Sequence, residues 1–260
     1  MERRYDVLLC DADNTIFDFE KAEVYAFADA CAFAGFEPTQ ERLRTYSEIN
    51  QALWKLLEQG GITQKELRVR RFEQFLEKIG RTDIDAQGMA MAFVESLGRQ
   101  SVPIEGAVEA VERWSRILPV IIVTNGIARV QHGRMDGSAV KPFISGLVIS
   151  EEVGSAKPDP KMLYIGMEQA GVEDGSRALM LGDSLSSDIA AAANAKIDAC
   201  WYNPKGAKNA KGLPVRYEIT SLDEVDAICW GRRRRRREED IAIADACGAA
   251  RHAQRLLHPA

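Results

Sequence analysis

Short uninterrupted apolar runs alternate along this chain with stretches whose apolar residues recur every three or four positions. Val7-Leu-Leu-Cys10 stops abruptly at Asp11-Ala-Asp13-Asn14-Thr15. Val120-Ile-Ile-Val123 runs into Thr124-Asn125-Gly126, and Ala178-Leu-Met-Leu181 into Gly182-Asp183-Ser184. An apolar run that ends on polar residues reads as a strand buried on both faces, the signature of a parallel sheet. Asp198-Ala-Cys-Trp-Tyr202 is a further strand candidate. Between these runs, Glu105 to Ile117 repeats Val108, Val111, Trp114 and Ile117 at helical spacing. Asp159 to Ala170 does likewise and carries Pro160 near its start, where proline is tolerated. Ser186 to Ala195 is alanine-rich, with Ser and Asp in its first turn. The alternation predicts an α/β fold with a doubly wound parallel sheet. Three of the strands deliver small polar or acidic residues at their carboxyl ends, the edge where open α/β sheets bind ligands.

Residues 18–100 follow a different pattern. Four long helical stretches, about 20–34, 40–59, 63–79 and 83–98, are broken by Gly35, Pro38, Gly60-Gly61 and Gly80, with no strand-like run among them. Such an insert predicts an all-helical cap domain over 18–100. It leaves 1–17 and 101–228 as the sheet-bearing core, re-entered through Ser101-Val-Pro103.

Composition narrows the class. With 260 residues, 46% hydrophobic and 28% charged, the chain is an ordinary globular one and not collagen-like, mucin-like or fully disordered. No run approaches the ~20 apolar residues of a membrane span, and the first residues lack an apolar signal-peptide core. Five cysteines, an odd number without a CxxC pair, suit a reducing cytoplasm better than a disulfide framework or a zinc site. Charge is uneven: residues 231–260 hold eight arginines against four acids, a net of +4, so the first 230 residues carry −9 of the chain's total of −5. Six of those arginines are consecutive, Arg232 to Arg237. They could bind nucleic acid or another anionic surface by counterion release. The plainer reading of 229–260 is a basic, poorly ordered extension, because Glu238-Glu-Asp240 follows at once and 231–260 contains no aromatic residue.

The candidate chemistry lies at the strand ends. Asp11 and Asp13 stand two apart in a loop that can aim both into one cleft. Thr124 follows a second strand, Lys157 sits in Gly154-Ser-Ala-Lys157-Pro158 ahead of a helix, and Asp183 and Asp188 flank the last strand-to-helix turn. Taken singly, each has an ordinary alternative: a solvated turn, a helix cap, or a loop lysine. Their common placement along one sheet edge is what makes them a candidate site.

These residues resemble a known family. DxDxT, a hydrophobic-Thr-Asn-Gly segment, Lys-Pro and GDSxxxD are the four motifs of the haloacid dehalogenase superfamily, mostly phosphotransferases, and the resemblance covers about 1–228. It implies a Rossmann-like core in which Asp11 is the nucleophile that forms an aspartyl phosphate. Asp13 then protonates the leaving oxygen and later deprotonates the resolving water. Thr124 and the backbone amides of Asn125 and Gly126 hold phosphoryl oxygens, and Lys157 neutralises charge. Asp11, Asp183 and the main-chain carbonyl of Asp13 bind Mg²⁺, with Mn²⁺ as a substitute, and Asp188 acts from behind them on a metal-bound water or on Lys157.

Asp13 separates the subclasses, since a halide leaving group needs no proton. Its carboxylate favours phosphate-ester chemistry, with mutases still open. A closer resemblance runs through Asp11-Ala-Asp-Asn-Thr-Ile-Phe-Asp18, Leu53-Trp54, Gly61-Ile-Thr63, Arg71-Phe72, Thr124-Asn-Gly126 and Val148-Ile-Ser-Glu-Glu-Val-Gly154 to the bacterial house-cleaning pyrimidine 5′-nucleotidases. It implies an enzyme for nucleoside monophosphates such as dUMP, dTMP or UMP; a monomer or homodimer in the cytoplasm is expected. A phosphatase or mutase for phosphoglycolate or a sugar phosphate is the alternative. Trp54, Arg71 and Phe72 are cap candidates for touching the nucleoside, and Phe17 and Asp18 are expected at the cap entrance. Two positions depart from the family pattern. Asn14 replaces a usual glycine and tolerates left-handed geometry; Lys196 also stands where relatives have glycine, at a cost of about 1 kcal/mol if its φ is positive.

Overall fold

The structure is a computed structural model and is described for residues 3–230; the arginine run and Cys247 lie outside the described residues. The chain runs β1 (Val7–Cys10), α1 (Phe19–Phe33), α2 (Gln40–Glu58), α3 (Gln64–Lys78), α4 (Ala86–Arg99), α5 (Ala107–Ser115), β2 (Val120–Thr124), α6 (Ala128–Asp136), β3 (Gly146–Ile149), α7 (Ser150–Val153), α8 (Lys161–Gln169), β4 (Ala178–Gly182), α9 (Ala190–Ala195), β5 (Asp198–Tyr202), β6 (Tyr217–Ile219) and α10 (Glu224–Cys229). Six strands form one sheet in the order β3-β2-β1-β4-β5-β6, and every pairing is parallel.

Side-chain alternation splits the strand residues between two apolar layers. Leu8 and Cys10 face the layer containing Trp114 and Val225, while Val7 and Leu9 face the one containing Met162 and Ile189. All four β1 residues are fully buried, which is why the strand reads as an unbroken apolar run. Complete burial of one such side chain contributes about 2 kcal/mol.

The helices between β1 and β2 start where their caps dictate. Asp18, Thr39 and Asp85 accept from the backbone N–H groups of Lys21, Arg42 and Gln87, and Thr63 forms a reciprocal capping box with Glu66. Tyr46, Phe27, Phe72, Phe75 and Phe93 fill the centre of this helical layer. Ile127 and Val130 join the same apolar cluster, so the layer packs directly against the start of α6. No described helix is long and apolar enough to cross a membrane.

Two strands had no sequence signal strong enough to predict them. β3 begins at Gly146 and is half-exposed at its start, and β6 is a three-residue edge strand. The predicted helix over 186–195 is a π-helical turn, Leu185–Ile189, followed by the short α9. Lys196 has φ 58° and Asn14 φ 59°, so both sites require the left-handed backbone.

Candidate active site

β1, β2 and β4 lie side by side in the middle of the sheet, and their carboxyl ends open into a cavity of about 260 Å³. After Cys10 the chain turns sharply. The amides of Ile16 and Phe17 both donate to the Ala12 carbonyl, and Asn14 takes the left-handed conformation. The turn holds Asp11 and Asp13 at one cavity.

Lys157 is the pivot of the floor. Its ammonium, 1% exposed, donates to Asp11 Oδ1 at 2.5 Å, to Asp188 Oδ1 at 2.7 Å and to the Val123 carbonyl at 2.7 Å. Burial alone would push this ammonium down, but the two carboxylates outweigh it and hold Lys157 above its ordinary value. The Asn125 side chain fixes the loop beneath it, donating to the Lys157 carbonyl at 2.8 Å and accepting from the Lys157 amide at 2.7 Å. Thr124 Oγ1 accepts from the Gly126 amide at 3.1 Å.

Asp188 is held from both sides: Oδ1 by Lys157, and Oδ2 by the Ser184 amide at 3.0 Å. It comes this close to the strand end because position 182 is glycine. A Cβ there would lie 2.2 Å from Asp188 Oδ2.

Asp11, Asp183 and Asp188 each bring a carboxylate oxygen within 4.8 Å of the others. One ammonium does not balance this group. Burial pushes the Asp11 carboxyl well up, with Lys157 only partly offsetting it, and burial together with the Asp188 charge pushes Asp183 up to about 7. An all-oxygen donor set with surplus negative charge fits a hard divalent cation. Asp188 has both oxygens engaged by the protein, which leaves Asp11 and Asp183 as the carboxylates free to turn toward an ion.

Asp13 is clamped as well. Gln131 Nε2 donates to Oδ2 at 2.9 Å, and the Arg134 guanidinium pairs with Oδ1. Arg134 is fully buried, lies over the Phe17 ring at 4.9 Å and donates through Nε to the Gln100 carbonyl at 3.0 Å. Gly126 makes room for Gln131, since a Cβ there would meet its amide nitrogen at 2.2 Å.

The roof comes from the helical layer: Phe19, Trp54, Glu58, Arg71 and Leu97 line the cavity, with Val130 from α6. Of the residues singled out from sequence, Asp11, Asp13, Thr124, Asn125, Gly126, Lys157, Asp183, Asp188, Trp54 and Arg71 meet in this one space. Three expected neighbours do not line it. Phe17 is fully buried beneath Arg134, where it completes the apolar layer behind the loop. Asp18 caps α1 and pairs with Lys21 at 2.8 Å. Phe72 turns inward and stacks on Tyr46, with ring centroids 5.1 Å apart. Arg71, its neighbour in sequence, faces the cavity instead, because adjacent helical residues point in different directions.

Sequence reasoning missed Gln131, Arg134, Glu58 and Gln64. Gln131 and Arg134 stand three apart on α6 and therefore share a face, a spacing visible only once that helix is known. Gln64 opens α3 and donates to the Asn125 carbonyl at 2.6 Å and to Ser150 Oγ at 3.1 Å, tying the helical layer to the cavity rim.

Comparison with known proteins agrees with this architecture. A family model described as haloacid dehalogenase-like hydrolase matches residues 5–196. The pyrimidine 5′-nucleotidase YjjG of Escherichia coli is 30% identical over 234 residues, 86% of this chain and 98% of that protein. The pyrimidine 5′-nucleotidase PynA of Streptococcus pneumoniae is 33% identical over 85% of this chain and 93% of its own length. Among solved structures, the magnesium-bound putative hydrolase YfnB of Bacillus subtilis superposes with a TM-score of 0.82 at 30% identity, covering 87% of this chain and 99% of that one. Parallel sheet, helical insert and the acidic strand ends thus converge on one assignment: the chain belongs to the haloacid dehalogenase-like hydrolases.

Proposed function

We propose that this chain is a phosphomonoester hydrolase acting on pyrimidine nucleoside 5′-monophosphates such as dUMP, dTMP or UMP. The carrying observation is the pair Asp11 and Asp13, two carboxylates in one cavity with different partners: Asp11 on the Lys157 ammonium, Asp13 on Arg134 and Gln131. Two carboxylates in distinct environments are what separate nucleophile and acid–base roles require. The substrate class rests on the likeness to YjjG and PynA and on the part-apolar roof containing Trp54.

Asp11 attacks phosphorus in line with the ester oxygen. The P–O bond to the nucleoside breaks as the proton on Asp13 passes to the departing 5′-oxygen. A water then attacks the aspartyl phosphate, gives its proton to Asp13, and frees inorganic phosphate and the Asp11 carboxylate. Lys157 balances charge on Asp11 and the phosphoryl oxygens, and Thr124 with the neighbouring amides orients them. Asp11, Asp183 and the Asp13 carbonyl are the groups that would hold Mg²⁺, or Mn²⁺ in its place, and the ion supplies charge neutralisation at the phosphoryl group when bound. Residues 18–100 act as a cap that closes the cavity from above. Cytoplasmic residence belongs to the same reading, in line with four free buried cysteines among the described residues.

A panel of nucleoside monophosphates, phosphoglycolate and hexose phosphates, assayed with Mg²⁺, tests this directly. Higher kcat/KM for dUMP, dTMP or UMP is expected, whereas preference for phosphoglycolate or a hexose phosphate contradicts it.

A further inference from the structure

The cap side of the cavity contains one buried cation that the phosphate chemistry does not use. Arg71, on α3, is 2% exposed, and its guanidinium lies 4.4 Å from the centroid of the Phe93 ring and 5.4 Å from that of Phe72. Nη1 donates to Asn50 Oδ1 at 3.3 Å, and Asn50 Nδ2 in turn donates to Glu23 at 2.8 Å. Among the described residues, Nε and Nη2 have no partner. A buried charged group with two unmade hydrogen bonds is costly, so a cavity-lining guanidinium in that state is organised for an acceptor that arrives with the ligand.

The surroundings restrict that acceptor. Glu23 already sits behind Arg71 through Asn50, and Glu58 lines the same cavity. Glu58 and Trp54 are four apart on α2 and so share a helix face. A second carboxylate brought in by the ligand would meet Glu58. A neutral ring carrying acceptors beside an N–H donor meets complementary groups instead: N–H from Arg71, a carboxylate oxygen from Glu58, and the indole of Trp54.

Resting on the proposed nucleotide chemistry, we infer that Arg71 and Glu58 read the imide edge of a uracil or thymine base, Arg71 donating to a ring carbonyl and Glu58 accepting from the ring N3–H. A cytosine held in the same pose turns a bare N3 lone pair, in place of an N–H, toward Glu58 and leaves that carboxylate unpaired.

The test compares dUMP, dCMP and ribose 5-phosphate as substrates of the full-length protein, its Arg71→Met variant and its Glu58→Gln variant. The wild type should prefer dUMP to dCMP. Arg71→Met keeps an apolar stem against Phe93 and should lower the ratio of kcat/KM for dUMP to that for ribose 5-phosphate by about 10-fold or more, the loss expected for a hydrogen bond to a charged group. Glu58→Gln is a partly exposed, near-isosteric change that serves if the buried substitution prevents folding. It should lower the dUMP-to-dCMP ratio several-fold, since an amide can donate to cytosine N3. Unchanged ratios in both variants, with dUMP still preferred, overturn the base-reading role and leave the nucleotidase reading standing. A wild type that does not prefer pyrimidine nucleotides, or that prefers phosphoglycolate, overturns both.

Discussion

Arg134 and Asp13 form an ion pair of unequal burial: the guanidinium side chain is fully inaccessible, while the carboxylate side chain is 27% exposed to the cavity. With Gln131 on the other oxygen, Asp13 cannot rotate freely, and the acid–base role proposed for it depends on where the clamp holds it. Arg134→Met should therefore lower kcat on ribose 5-phosphate by about 10-fold, part of the 10²–10⁴ that a positioned acid–base group supplies. p-Nitrophenyl phosphate, whose leaving group departs without a proton, should lose less. Equal losses on the two esters would show that Arg134 acts only through stability.

Lys157 separates Asp11 from Asp188, and nothing else cationic donates to either carboxylate among the described residues. Replacing it with methionine leaves two buried carboxylates facing each other without their common counter-charge. Lys157→Met should cost about 10² or more in kcat with Mg²⁺ present. Activity within 2-fold of wild type, measured on p-nitrophenyl phosphate, would remove Lys157 from the mechanism.

The surplus negative charge of Asp11, Asp183 and Asp188 makes metal binding visible without turnover. A ligand held only by the folded state stabilises it, by about 2.7 kcal/mol at 100 times its dissociation constant. Millimolar Mg²⁺ should raise the wild-type Tm, and Asp183→Asn should abolish most of that rise. An identical Mg²⁺ shift in Asp183→Asn would place the ion elsewhere.

Glu23 gives a pH signature outside the carboxylate cluster of Asp11, Asp183 and Asp188. Burial pushes its carboxyl above the ordinary glutamate value, despite its bonds from Ser47 and Asn50 and the nearby Arg71. A folded-state pKa raised in this way contributes stability below the unfolded value that is lost as pH rises through the folded one. Relative to Glu23→Gln, the wild type should lose stability between about pH 4 and the raised folded-state value. Parallel Tm profiles for the two proteins would contradict that.

Left-handed geometry at Lys196 was readable from sequence because a glycine is usual there, and the structure gives it φ 58°. Lys196→Gly should stabilise the fold by about 0.5–1 kcal/mol, the residue's greater freedom in the unfolded chain offsetting part of the gain. A Tm unchanged or lowered by that substitution would argue against strain at this position.

How much of the molecule was legible follows from where each signal resides. β1, β2 and β4 announced themselves because they are buried on both faces, and the polar residues that end them are the floor of the cavity. β6 is an edge strand of three residues and carries no comparable run. The roof was only partly legible: helical periodicity identifies an apolar face but not which aromatic turns inward, so Phe72 and Arg71 looked equivalent until the packing against Tyr46 and Phe93 separated them. Arg134 was invisible for a different reason. Its partner lies 121 residues away, and only the turn after β1 brings the two together.

Rapid acid quench of the full-length protein after mixing with 5′-[³²P]dUMP and Mg²⁺ joins the substrate and the nucleophile in one measurement. The account predicts hydroxylamine-labile label on the peptide containing Asp11 within a single turnover, and none in Asp11→Asn. Phosphate released from dUMP with no label on the protein, or label on any other residue, would contradict it.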